Sequence, residues 1–76
     1  MEKIDLMEKI ETTFKNGHEG TIYRSVIDTA EKLLIQKALL RAHGNQINAA
    51  RILGLNRNTL RAKIKHLRID PGKYKL

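Results

Sequence analysis

A three-residue joint restricts this chain more than any other feature. Two short stretches with apolar residues at helical spacing, 46–53 and 57–67, are separated only by Gly54, Leu55 and Asn56. Two helices so joined have the length and turn type of a helix-turn-helix, with the second helix set at a large angle to the first, an ordinary helical hairpin being the alternative. That geometry brings the helices close at their crossing, where Ala49 and Ala50 supply small side chains. The turn needs a positive φ, which Gly54 adopts without steric cost. Asn45 and Asn56 are good N-caps for the two helices, and Gly54 is a good left-handed C-terminal residue. Leu53, Leu55, Leu60 and Ile64 then form a small core, with Leu60, Ile64 and Leu67 as the inward stripe of the last helix.

Upstream the helical period continues and no stretch alternates with period two, so the expected fold is all-α with four helices. A first helix over about 2–15 carries Ile4, Met7, Ile10 and Phe14 on one stripe and ends at the polar link Asn16-Gly17-His18-Glu19-Gly20. A second helix, over 22–43, is roughly 33 Å long at about 1.5 Å per residue. Ile22, Val26, Ile27, Ala30, Leu33 and Leu34 stripe its first half. Beyond Leu33 it is apolar nearly all the way round, through Ile35, Ala38, Leu39, Leu40 and Ala42, and such a helix is packed on more than one side. A chain of 76 residues has little material for that, since folding at this size buries only about 60% of the unfolded surface. The first two helices of two identical chains can supply it by combining into a dimeric four-helix bundle. Met7, Ile10, Phe14, Ile22, Val26, Ile27, Ala30, Leu33 and Leu34 are the expected dimerisation residues. The competing reading is that one chain covers both faces by itself. The expected organisation is a helical dimerisation region over 1–43, a helix-turn-helix over 44–69, and a basic C-terminal tail over 70–76 opened by Pro71-Gly72.

Charge is distributed unevenly. Residues 1–50 hold seven basic and seven acidic side chains, whereas 51–76 hold eight basic ones against Asp70 alone, so the whole net charge of +7 belongs to the last third. A neutral scaffold with a cationic end fits a polyanionic partner, although a merely solvated basic face has the same composition. Placed on a helix axis, Asn58, Arg61, Ala62 and Lys65 lie opposite the apolar stripe, and Arg57 projects from the first turn. A recognition helix reaches base edges in the major groove from that end. Arg57 can be bidentate to guanine O6 and N7, and Asn58 or Asn56 can serve adenine. Arg61, Lys63, Lys65 and Arg68 suit phosphates, Thr59 offers a hydroxyl, and the backbone N–H groups at Asn45-Gln46 and Asn56-Arg57 can hold phosphate oxygens. For Asn45 and Asn56 a plain capping role, worth about 1 kcal/mol, explains the residue equally well.

The stretch 23–69, with Gly44-Asn45-Gln46, Ala49-Ala50, Leu53-Gly54-Leu55-Asn56-Arg57-Asn58-Thr59-Leu60-Arg61 and Lys63-Ile64-Lys65, strongly resembles the Fis-type helix-turn-helix. That domain occurs in the factor for inversion stimulation and as the C-terminal DNA-binding domain of NtrC-type, sigma-54-dependent transcriptional activators. The resemblance covers 47 of the 76 residues. It implies a homodimer that binds double-stranded DNA sequence-specifically, both recognition helices entering successive major grooves of a palindromic site. By position, Asn56, Arg57, Thr59 and Arg61 fall where family members contact DNA, and Asn45 and Gln46 where the DNA backbone is held. Ala62 departs from the pattern, since many relatives have a basic residue there. The first 21 residues lack the alternating, turn-rich arm of the inversion-stimulation factor. This favours the domain of a response-regulator activator over a stand-alone, nucleoid-associated DNA-bending protein. In the activator reading Met1 is not the natural start, the receiver and ATPase parts lie outside this chain, and the bound dimer raises their local concentration near the promoter complex. A helical protein-interaction module is the remaining alternative, and it leaves the basic third unexplained.

Other classes find little support. With no cysteine there are no disulfides or thiolate sites, as befits a reducing compartment. His18, His43 and His66 lack metal-ligand spacing and no glycine-rich P-loop is present, so no enzyme activity, metal or cofactor is expected. Phe14, Tyr23 and Tyr74 are too few to stack single-stranded bases. No more than three apolar residues run together, which argues against a membrane span or a signal peptide. The stripe of Leu60, Ile64 and Leu67 is explained by packing on the third helix rather than by a lipid surface. The expectation is a bacterial cytoplasmic protein associated with the nucleoid, with no small-molecule substrate.

Overall fold

The computed structural model describes residues 5–75. They form four α-helices, α1 (Leu6–Asn16), α2 (Ile22–Arg41), α3 (Gln46–Leu53) and α4 (Arg57–His66), then a 3-10 turn over Pro71–Tyr74, with no strand among the described residues. The four-helix, all-α expectation holds. Glu2 and Ile4, assigned to the first helix by periodicity, lie outside the described residues. Asp5 starts α1: its Oδ1 accepts the Met7 N–H at 3.0 Å. Thr13 is buried, and its hydroxyl donates to the Lys9 carbonyl at 2.7 Å, so its burial leaves no polar group without a partner.

The next three helix ends close in one way. The N–H of Gly44 bonds the Leu39 carbonyl (2.9 Å) and that of His43 the Leu40 carbonyl (3.3 Å). Leu55 to Ala50 (2.9 Å) with Gly54 to Arg51 (3.2 Å), and Ile69 to Ile64 (3.0 Å) with Arg68 to Lys65 (3.2 Å), repeat the pattern. Each is a Schellman motif, which satisfies the last carbonyls by turning one residue left-handed. The left-handed residues are His43 (φ 53°), Gly54 (φ 74°) and Arg68 (φ 57°). Helices α2 and α4 therefore stop at Arg41 and His66, short of the ends expected from apolar spacing. Spacing gives no warning when a histidine or an arginine adopts a conformation uncommon outside glycine.

The chain divides into two compact units, Met1–Ala30 and Glu31–Leu76. In the first, Val26 and Thr13 are the buried residues among those described. Ile10, Phe14, Ile22, Tyr23, Val26 and Ile27 border an apolar concavity of about 420 Å³. The second unit holds the main core: Ile35, Ala38, Leu39 and Ala42 of α2, Ala49 and Ala50 of α3, Leu60 and Ile64 of α4, and Ile69, with Leu53, Leu55, Leu67 and Tyr74 packed against it. Burying Ile35, Leu39 and Leu60 completely contributes about 1.5–3 kcal/mol each. Packing within the chain thus covers much of the apolar girdle of α2 and leaves Leu33, Leu34 and Leu40 exposed.

The C-terminal segment is docked. Asp70 Oδ1 accepts the Gly72 N–H at 3.0 Å. Gly44, at φ 83°, faces the turn so closely that a Cβ there would lie 2.8 Å from the Pro71 carbonyl oxygen and 2.7 Å from Lys75 Cγ. At Gly54 a Cβ would meet nothing within 4 Å. Gly54→Ala should therefore cost about 1–2 kcal/mol for the left-handed backbone alone, and Gly44→Ala about 1–3 kcal/mol more for the collision. Chemical denaturation of both variants checks this, and equal losses would mean that the turn does not press on Gly44.

Candidate nucleic-acid interface

Helix α3 packs directly on α4, and Ala49 and Ala50 of α3 share one buried cluster with Leu60 and Ile64 of α4. Ala49 and Ala50 are 0% and 2% exposed, and Leu60 is 0% exposed. Two small residues in succession let the helices approach, and Leu60 and Ile64 then fix which side of α4 turns inward. The opposite side is open: Arg57, Asn58, Thr59, Arg61, Ala62, Lys65 and His66 are all exposed. The structure brings Asn58, Arg61 and Lys65 onto one outward surface with Ala62 at its centre, and Arg57 and Thr59 in the first turn.

Lys63 stands apart from that group. It is only partly exposed, and its ammonium forms an ion pair with Glu31 of α2. No local spacing in the sequence betrays this partnership, because the residues lie on different helices. Asn45 Oδ1 accepts the Asn48 N–H at 3.1 Å and Asn56 Oδ1 accepts the Asn58 N–H at 2.8 Å, so both asparagines cap their helices. Gln46 is half-buried at the start of α3. Arg51, exposed on α3, donates to Asn48 Oδ1 at 3.3 Å.

The electrostatics of these helix starts differ from that of α1. There a carboxylate caps the helix and Glu8 adds a second negative charge in the first turn. Helices α3 and α4 are capped by neutral amides and have no acid in the first turn, which leaves their positive dipole ends uncompensated. Arg57, at the first position of α4, adds a cation where one is disfavoured by about 0.3–1 kcal/mol. An approaching anion would reverse that sign. Residues 31–76 contain eleven basic side chains and two acids, Glu31 and Asp70. Glu31 is paired with Lys63 and Asp70 caps the 3-10 turn. The arrangement presents hydrogen-bonding and cationic groups on a helix whose position the core determines.

Residues 26–67 match the family model described as bacterial regulatory protein, Fis family. Over 49 residues the chain is 52% identical to the DNA-binding transcriptional regulator NtrC of Azospirillum brasilense, and equally to that of Rhizobium meliloti (strain 1021), covering 64% of this chain and 10% of each regulator. Over 51 residues it is 41% identical to the DNA-binding protein Fis of Vibrio cholerae serotype O1, covering 66% of this chain and 52% of that protein. The chain thus spans about a tenth of the length of its NtrC relatives and about half that of its Fis relatives. No solved structure matches it significantly.

The crossing is open to direct test. Ala50→Leu forces three extra carbons into a contact that is 2% exposed and should destabilise the second unit by about 1–3 kcal/mol. Amide exchange should rise in α3 and α4 and stay unchanged in α1. An unaltered denaturation midpoint would place Ala50 away from the crossing.

Proposed function

The chain belongs to the Fis family of bacterial regulatory proteins, and on that footing we propose that it binds double-stranded DNA sequence-specifically, as a homodimer, through α3 and α4. The observation that carries the reading is the division of α4 into a fully buried inner edge at Leu60 and an open outer one bearing Asn58, Arg61 and Lys65. In this reading α4 lies in the major groove. Arg57 pairs with guanine, and Asn58 and Thr59 offer hydrogen bonds to neighbouring base edges. Arg61 and Lys65 neutralise phosphates. The helix starts capped by Asn45 and Asn56, with Gln46 at the first position of α3, hold the DNA backbone through their N–H groups. Lys63 is tied to Glu31 and contributes to the cationic field without needing a phosphate of its own.

The dimer is supported by apolar surface that the single chain leaves open. Met7 is 63%, Phe14 67%, Ile27 37%, Leu33 36% and Leu34 59% exposed. Ile10, Ile22 and Ala30 are half-buried and Val26 buried. A second copy of the chain would cover this surface and place two recognition helices on a palindromic site. The higher identity to NtrC than to Fis, 52% against 41%, and a helical segment at Leu6–Asn16, favour the DNA-binding domain of an NtrC-type, sigma-54-dependent response regulator acting in the bacterial cytoplasm. A stand-alone DNA-bending protein of the nucleoid is the second reading, supported by the match across about half of the Vibrio Fis chain.

Selection of bound duplexes from a random pool tests the proposal as a whole: two inverted half-sites are expected, and recovery of unrelated sequences would overturn it. Arg57→Ala should cost about 1–3 kcal/mol and relax the preference at one base pair per half-site. Lys65→Ala should weaken all sequences alike and flatten the salt dependence by about one unit per subunit. Phe14→Glu replaces a side chain that is 67% exposed. It should leave the fold intact while shifting sedimentation at micromolar concentration toward the 8.7 kDa single chain, with a parallel loss of duplex affinity. A variant that sediments like the parent would remove Phe14 from the interface.

A further inference from the structure

The turn over Pro71–Tyr74 lies beyond the family match, which ends at residue 67, yet it is built onto the same core. Ile69 is buried and Tyr74 packs against the cluster around Leu60. Asp70 caps the turn, and the Pro71 carbonyl and the Lys75 stem lie against the bare backbone of Gly44. These contacts order a cationic segment. Lys73 and Lys75 are exposed and outnumber Asp70, the sole acid in 44–76, so the segment is net cationic. Lys75 borders, together with His43, Asn45, Gln46 and Gly72, an open concavity of about 730 Å³ beside the first residues of α3.

We propose that this docked C-terminal turn is a further element of the DNA interface, in which Lys75 takes a backbone phosphate outside the bases reached by α4. The inference rests on the DNA-binding reading and extends it to residues the family pattern does not include. Lysine on a free chain end loses both backbone and side-chain freedom when it grips a phosphate, whereas here the backbone is already fixed by Tyr74 and Gly44. The stem of Lys75 crosses Gly44 and its residue borders the same concavity as Asn45 and Gln46, so one strand of the duplex backbone can meet all three. A phosphate contact of this kind orients the protein without reading sequence.

Lys75→Gln tests it, since glutamine keeps most of the aliphatic stem on Gly44 and removes only the charge. Duplex affinity should fall about eightfold per protomer at 0.1 M salt, equally for selected and random sequences, and the slope of log affinity against log salt should flatten by about 0.9 per protomer. Ethylation interference should lose one flanking phosphate per half-site. Affinity, slope and interference pattern all equal to those of the parent, while Arg57→Ala still relaxes base preference, would overturn the role of the turn and leave DNA binding standing. If the parent protein binds no duplex, or Arg57→Ala leaves its preference untouched, the broader reading fails and this one with it.

Discussion

The structure depends on how closely two helices can pass. Ala49 and Ala50 hold α3 against Leu60 of α4, and no larger pair of side chains would keep that separation. From this contact the rest follows in order. Ile35 and Leu39 of α2 join the same buried cluster, Ile64 and Ile69 complete it, and Tyr74, partly buried, packs against it. Because the inner edge of α4 is committed to this cluster, its outer edge has one orientation. The Lys63–Glu31 pair adds a polar tie between α4 and α2. At its partial exposure it is worth at most about 1 kcal/mol, so apolar packing sets the angle and the ion pair only favours it.

Electrostatics is then arranged around that frame by choice of capping residue. A helix start needs an acceptor for its first N–H groups, and either a carboxylate or an amide oxygen serves. Helix α1, in the charge-neutral part of the chain, uses Asp5, and the 3-10 turn uses Asp70, the one acid beside the basic residues of the C-terminal third. At α3 and α4 the acceptors are Asn45 and Asn56. The amides satisfy the same backbone donors without placing negative charge beside the basic outer edge of α4. Local stability is slightly lower than a full charge at the helix start would provide, and the cationic field is undiminished.

How much of this was legible in the sequence differs by element. The bounds of α3, the left-handed turn at Gly54, the caps and the inward stripe of α4 all follow from residues within one helical turn of each other, and local chemistry determines them. His43 and Arg68 were opaque because their left-handed backbones answer to the packing of the next segment, not to their own preference. The Glu31–Lys63 pair and the docking of the turn on Gly44 are contacts between residues far apart in the chain. The apolar girdle of α2 was recognised, but periodicity records only that a surface must be covered, not by which chain. Ile35, Ala38, Leu39 and Ala42 find their cover within the same molecule, whereas Leu33, Leu34 and Leu40 do not.

One consequence of the divided α4 concerns variation rather than stability. Its inward side chains, Leu60 and Ile64, are tied to residues from three other segments of the chain. Its outward ones are exposed, and Ala62 in their midst presents only a methyl group. Exchanges on that side leave the buried cluster untouched, so the scaffold and the surface it displays can diverge separately. A lineage carrying this domain can alter the chemistry of a few exposed positions, Ala62 among them, while inheriting the fold unchanged.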